Sequence, residues 1–252
     1  VLLAVDIGNS NIVFGFYDGR KLLTTLRVAT DHARTSDESA IILSQFVELK
    51  RLPSFEGMVI ASVVPRLETV FRHMAEDHYR LEPLVVSHRL KLNITFDYPQ
   101  PSEIGADRIC DAVAAFDRFG GPTIVVDFGT ATTFGVISEQ GAFLGGVIAP
   151  GIETAQSALA SRAAQLFKIA FEEPESPIGK SSEEAMRAGS YLGAIGQTDY
   201  IIESISQRWE KHPKVVATGG LAPLIAPKSK YISEVLPNIT LDGLQLIFAL
   251  NR

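Results

Sequence analysis

Two short polar turns carry residue types that suit a phosphate chain. In "AVDIGNSNIVFGF", residues 4–16, an apolar run reaches Asp6 and Gly8, and Asn9, Ser10 and Asn11 follow. In "VVDFGTATTFGV", residues 125–136, the same step is built from Asp127 and Gly129, followed by Thr130, Thr132 and Thr133. A phosphate needs main-chain N–H groups that can come close, and hydroxyls or amides to complete its hydrogen bonds. Gly8 and Gly129 have no Cβ to block that approach. An Asp beside a polyanion is repelled unless a cation lies between them. Asp6 and Asp127 therefore read as ligands, direct or through water, for Mg²⁺ or another hard cation. Neither turn fits Gly-x4-Gly-Lys-Ser/Thr or Gly-x-Gly-x-x-Gly. Taken singly, each is equally a polar hairpin tip. Two in equivalent places favour a nucleotide clamped between two lobes.

A third candidate is "GADR", residues 105–108. Asp107 falls near a helix start, where the macrodipole favours a carboxylate. It could accept the proton of a substrate hydroxyl, and Arg108 could neutralise a transferring phosphoryl group or a substrate carboxylate. A structural Asp at a helix N-terminus beside a surface Arg fits the same residues. "ATGGLAP", residues 217–223, leaves room for an adenosine moiety, although its spacing reads first as a strand-to-helix turn. His32, His73, His78, His88 and His212 show no metal-ligand spacing and read as surface or packing residues. Cys110 lies within an apolar helix turn and reads as buried.

The elements that must position these residues follow from periodicity and turn chemistry. The chain opens with strands at Val1–Val5, Ile12–Tyr17 and "KLLTTLRV", with Asp18-Gly19 as a hairpin turn. Thr35 and Glu38 form a capping-box pattern ahead of a helix with Ile42, Leu43, Phe46 and Val47 on one face. A strand at 58–65, a helix at 66–79 and a strand at 83–87 complete a βββαβαβ order. A helix follows "GADR" and stops at Gly120-Gly121. The second half then repeats strand, polar turn, strand, turn, strand from Thr123 to Ile148. Helices are expected after Gly151, from Ser181 to about Gly196, near 198–210 and at the C-terminus, with a strand at 214–220. The halves fall one residue out of step within the turn: Phe14-Gly15 matches Phe134-Gly135 at a spacing one shorter than Asp6 to Asp127. This duplication implies two α/β domains with mixed sheets, 1–117 and 118–252.

Composition narrows the function classes. A formal charge of −6 argues against a nonspecific nucleic-acid face. A single cysteine excludes an internal disulfide and a Cys-based zinc site, and it fits a reducing cytoplasm. The apolar run Val1–Val5 is too short for a signal peptide or a membrane span.

Taken together, these stretches resemble the type III pantothenate kinase family. The resemblance runs end to end, through "DIGNSN" (6–11), "RTSDE" (34–38), "ASVVP" (61–65), "YPQPSEIGADR" (98–108), "VVDFGTATTF" (125–134), "GGVIAPG" (145–151), "IGKSSEEAM" (178–186) and "ATGGLAPLIAP" (217–227). It implies two duplicated ribonuclease-H-like domains of the acetate and sugar kinase, Hsp70 and actin superfamily. It also implies ATP-dependent phosphorylation of pantothenate to 4′-phosphopantothenate. By resemblance, Asp6, Ile7, Gly8, Asn9, Ser10, Asn11, Ile12 and Val13 form the ATP phosphate loop, and Thr130 touches ATP. Asp127 is then the ligand of the monovalent cation, K⁺ or NH₄⁺, that the family uses besides Mg²⁺. Tyr98, Gly105, Ala106, Asp107 and Arg108 line the pantothenate site, with Asp107 as proton acceptor. Ser182 stands where the family has a substrate-contacting Thr. The resemblance further implies a cytoplasmic homodimer with its site at the subunit interface. A regulatory protein or another phosphotransferase of the same superfamily is the alternative reading. Gly135 and Pro99 depart from the family pattern, each where Asp is common: Gly135 either loosens a contact near the phosphates or marks only a local hairpin change, and Pro99 alters the loop over the substrate.

Overall fold

Burial along the first three strands sets the first sheet. β1 (Leu2–Ile7) is buried along most of its length, as a central strand is. β2 (Asn11–Asp18) and β3 (Lys21–Ala29) follow it as an antiparallel meander, and β3 alternates strictly between exposed and half-buried side chains. The computed structural model describes residues 1–163, 165–210 and 212–252. It continues with α1 (Ser36–Lys50), β4 (Gly57–Ser62), α2 (Pro65–Tyr79), β5 (Leu84–Val85), β6 (Thr95–Phe96) and α3 (Ala106–Phe119). β4 pairs in parallel with β1 and β5 with β4, giving the order β3-β2-β1-β4-β5. The capping box forms: Glu38 N–H donates to Thr35 Oγ1, and Thr35 N–H donates to Glu38 Oε2 at 2.8 Å. Ile7, Ile12, Phe14, Leu43, Ile60 and Phe71 are among the fully buried side chains of this unit's core.

The second half contains β7 (Thr123–Phe128), β8 (Ala131–Ile137), β9 (Ala142–Pro150), α4 (Ile152–Arg162), α5 (Ser182–Ser206), β10 (Lys214–Thr218), α6 (Ala222–Ile225), β11 (Glu234–Val235) and α7 (Ile239–Leu250). Within it the strands run β9-β8-β7-β10-β11, with β10 and β11 parallel to β7. This repeats the first order strand for strand. The repeat extends to an irregularity that the sequence does not announce. β2 shifts register against β3 between Phe16 and Tyr17, and β8 shifts against β9 between the matching residues Val136 and Ile137. The fold is the mixed α/β, two-domain arrangement expected from the repeat.

The compact units are Val1–Arg118 with Asn238–Arg252, and Phe119–Pro237. The chain's last helix thus packs with the first unit, whereas the sequence pattern groups 118–252 together. The apolar side of α7, with Ile239, Leu241, Leu244 and Ile247 buried, accounts for this. Tyr17 donates its hydroxyl proton to Asp242 Oδ1 at 2.7 Å, and Thr240 donates to Asp111 Oδ1 at 2.7 Å. Gly243 lets α7 lie directly on α3, because a Cβ there would collide with the backbone of Cys110.

α5 also differs from expectation. One continuous helix of 25 residues replaces two helices broken near Gly196. Glycine in a helix costs about 1 kcal/mol relative to alanine, which weakens a long helix without interrupting its hydrogen-bond ladder. At its start, Ser181 Oγ accepts from Glu184 N–H, while Glu184 Oε2 accepts from Lys180 N–H, one residue outside a regular capping box. Among the described residues, no helix is long and apolar enough to cross a membrane.

Two alanine substitutions should separate these glycines. Gly243→Ala forces backbone apart and should destabilise by about 1–3 kcal/mol. Gly196→Ala projects into open space and should stabilise by about 0.5–1 kcal/mol. Urea denaturation of both variants checks the opposite signs.

Candidate active site

The two polar turns close differently. In the first, Ile7 pairs with Ile12, and Gly8 N–H donates to Asn11 O at 3.0 Å. In the second, Phe128 pairs with Thr132, and Gly129 N–H donates to Ala131 O at 3.1 Å. The second turn is one residue shorter, which accounts for the halves falling out of step. Asp6 and Asp127 are each the penultimate residue of their strand, half-buried, facing Val13 and Thr133 across the pair. Asn9, Ser10, Gly129 and Thr130 are exposed. Ile7 and Ile12 are fully buried, so their side chains belong to the core and only their main chain is available to a ligand.

The "ATGG" stretch lies against the second turn. Thr218 is in register with Asp127, and Gly219 follows with φ +91°, a left-handed conformation that suits glycine. A Cβ on Gly219 would stand 2.5 Å from Phe128 O and 2.6 Å from Asp127 Oδ1. A carboxylate and a carbonyl oxygen thus lie close together, the donor type that a hard cation takes. Among the described residues, no three His, Cys, Asp or Glu side chains gather as a metal cage. The donor set fits a cation that completes its shell with water and nucleotide oxygens, as Mg²⁺ at phosphates does.

In the first unit, Asp107 is the second residue of α3. Its Oδ1 accepts from Arg108 N–H at 2.8 Å. Gly105 leaves room for this orientation, since a Cβ there would collide with Asp107 Oδ1 unless the carboxylate turned. Burial pushes the Asp107 carboxyl above its ordinary value of 3.8, and the Arg108 backbone bond and charge oppose the shift. Burial also lowers the Arg108 pKa, countered by Asp107, then Tyr98, then Asp111. Tyr98 and Arg108 are thus within electrostatic reach of each other. Cys110 is fully buried, and its thiol is pushed up first by burial and then by Asp111, Asp6 and Asp107. The first turn's Asp6 and the helix-borne Asp107 therefore both act on one buried thiol.

The sequence model of type III pantothenate kinase matches residues 2–204. A type III pantothenate kinase of Moorella thermoacetica is 44% identical over 253 residues, covering all of both chains. One of Geobacter sulfurreducens is 40% identical over 254 residues, again covering all of both. The chain belongs to the type III pantothenate kinase family. A ROK family glucokinase from Streptomyces griseus, solved with glucose and AMPPNP, superposes with TM-score 0.52 at 14% identity, over 100% of this chain and 99% of that one. At that identity the likeness shows the fold alone, which is the actin-like fold of sugar kinases.

The remaining family-matched positions lie in the second unit. Ser182 is the exposed first residue of α5. It lines a cavity of about 680 Å³ between α4 and α5, together with Ile152, Gln156, Leu159 and Met186. Gln156 is only 7% exposed, and its Nε2 has no hydrogen-bond partner among the described residues. Gly135, the departure from the pantothenate kinase pattern, is a buried strand residue between Val125 and Gly146, with a Cβ position 3.5 Å from the Phe143 ring. It stands where Gly15 stands in the first half. Pro99 is exposed beside the half-buried Tyr98.

Three contributors make contacts that the sequence pattern does not signal. Asp111 lies one helical turn beyond Asp107, buried, and binds Thr240 from the far end of the chain. Gly219 packs on Asp127. Thr30, just past β3, bonds to the first turn through Thr30 N–H to Ser10 O at 3.0 Å and Thr30 Oγ1 to Gly8 O at 2.7 Å. Only the spacing of strands that become neighbours could have flagged Thr30, since no local motif surrounds it.

The raised Asp107 pKa has a consequence for stability. Between its unfolded value near 3.8 and its higher folded value, the folded state holds the proton more tightly, so stability falls as pH rises through that window. Asp107→Asn lacks this penalty. Its stability relative to the unsubstituted protein should climb across the window and level off above it. Urea denaturation of both proteins at a series of pH values checks this, and a difference independent of pH would contradict it.

Proposed function

We propose that Asp107 is the proton acceptor in the phosphorylation of pantothenate, and that the two polar turns divide the remaining work. As a type III pantothenate kinase, the chain transfers the γ-phosphoryl group of ATP to a hydroxyl of pantothenate and forms 4′-phosphopantothenate, in coenzyme A biosynthesis. The bond from the γ-phosphorus to its bridging oxygen breaks, a bond to the primary hydroxyl oxygen forms, and the hydroxyl proton passes to Asp107. The observation that carries this reading is the half-buried Asp107 carboxylate, raised above the ordinary range and given room by Gly105. A carboxylate whose pKa is raised by burial is a stronger base toward a substrate hydroxyl than a solvated one.

The segment from Asp6 to Val13 receives the ATP phosphates, mainly through the main chain and through Asn9, Ser10 and Asn11. Tyr98, Gly105, Ala106 and Arg108 bind pantothenate beside Asp107, and Arg108 holds its charge against burial chiefly with the help of the Asp107 carboxylate. Thr130 contacts ATP, and Asp127 is the ligand of K⁺ or NH₄⁺. A bound Mg²⁺ would supply charge neutralisation on the phosphates. Ser182 gives a hydroxyl to the substrate. Positioning and charge stabilisation provide most of the acceleration.

The chain acts as a homodimer through the α4 and α5 face. The apolar cavity there, the exposed Leu159 and Leu192, and the buried Gln156 Nε2, without a hydrogen-bond partner among the described residues, support a second copy as its cover. A cytoplasmic location follows from the reading of ATP as co-substrate.

The deciding experiment is phosphorylation of pantothenate by Asp107→Asn in potassium buffer. A loss of about 10²–10⁴ in kcat is expected for a missing general base. In the unsubstituted enzyme kcat/KM should fall as pH drops through the Asp107 pKa, and Asp107→Asn should lose that limb. Undiminished turnover in the variant would remove Asp107 as base. Asp127→Asn should lose its response to potassium while retaining the fold by circular dichroism. Leu192→Glu should shift sedimentation from dimer to monomer.

A further inference from the structure

We propose that Thr30 is a positioning residue for nucleotide binding, fastening the main chain of the first turn so that its N–H groups face the phosphates. The inference rests on the reading of that turn as the ATP phosphate loop.

Thr30 is half-buried just beyond β3. Its N–H donates to Ser10 O at 3.0 Å, and its Oγ1 donates to Gly8 O at 2.7 Å. Gly8 N–H in turn donates to Asn11 O. The carbonyls of Gly8, Ser10 and Asn11 are thus all engaged within the protein. A trans peptide unit is planar, so its C=O and the N–H that follows point in opposite directions. Holding the Gly8 carbonyl toward Thr30 therefore aims the Asn9 N–H away from Thr30. Without the hydroxyl the Gly8–Asn9 peptide is free to turn its carbonyl outward, where it would repel a phosphate.

The second half offers a built-in comparison. Gly151 occupies the place of Thr30, and its N–H donates to Thr130 O at 3.2 Å, the counterpart of the bond to Ser10. Glycine has no hydroxyl to give to the Gly129 carbonyl. The hydroxyl in that region comes from Thr154, whose Oγ1 donates instead to Thr130 O at 2.7 Å. The main-chain bond is common to both halves. The side-chain bond to the turn's glycine carbonyl belongs to the first turn.

Thr30→Val removes the hydroxyl while keeping the N–H and the shape, and Thr30→Ser keeps the hydroxyl. Steady-state kinetics of the whole enzyme and calorimetric titration with ADP are the measurements. In Thr30→Val, KM for ATP and Kd for ADP should rise about five- to tenfold, the size of one lost hydrogen bond, with kcat and KM for pantothenate within about twofold. Thr30→Ser should restore nucleotide affinity. A purely structural stitch would lower thermal stability in Thr30→Val without that split between the two substrates. Unchanged ADP affinity, an equal rise in KM for pantothenate, or no rescue by Ser would each overturn the proposal. Gly8→Ala, whose Cβ would stand 3.0 Å from Asn11 O, distinguishes the two ways of failing. If it weakens ADP binding and Thr30→Val does not, the role of Thr30 alone is wrong. If neither matters, the turn is not the phosphate loop and the proposal falls with it.

Discussion

Partial withdrawal of the Asp107 carboxylate from water is the constraint on which the rest of the first unit depends. A carboxylate loses solvation at a cost that the fold must offset or tolerate. Here Arg108 offsets part of it, through its backbone N–H and its charge. Glycine at position 105 leaves the Asp107 oxygen its place, and a Cβ there would make the carboxylate turn aside. It also requires α3 to be held firmly. The chain's last helix does this, with Gly243 against Cys110 and Thr240 bonded to Asp111. The residues nearest the C-terminus thereby fix a group near the middle of the sequence.

The duplicated sheets solve a different problem. Two copies of one strand order place an Asp and a Gly at the end of the first strand of each sheet. Their turns have diverged by one residue and in how their carbonyls are fastened. Gly219 closes on Asp127, whereas Asp6 lies within electrostatic reach of Cys110 and the helix that carries Asp107. The same local architecture is therefore backed by different neighbours in the two halves. The polarity of the turns comes from the residues themselves; the difference between them comes from what packs behind them.

Much of this is legible in the residues alone. The Asp-x-Gly steps, the Thr35–Glu38 box and the strand periodicity locate nearly every element of the first unit, because each is decided by residues within a few positions of one another. The one-residue offset between the halves is visible in the Phe-Gly spacing, and the turn geometry supplies its cause. What the sequence hides is long-range. Nothing near Asn238 says that α7 joins β1, β2 and α3. Thr30 and Asp111 matter through partners that are distant in the chain. Gly196 suggests a break in α5, and the 25-residue helix carries it without one. Gly135 reads either as a loosened contact near the phosphates or as a local hairpin change, and its place as a buried strand residue matching Gly15 is visible only in the register.

The most direct measurement is a crystal structure with a non-hydrolysable ATP analogue and pantothenate bound together. The account predicts phosphate oxygens against the main chain of residues 8–11, and the primary hydroxyl of pantothenate within hydrogen-bond reach of Asp107. A hydroxyl placed out of reach of Asp107, with another base beside it, would contradict the account.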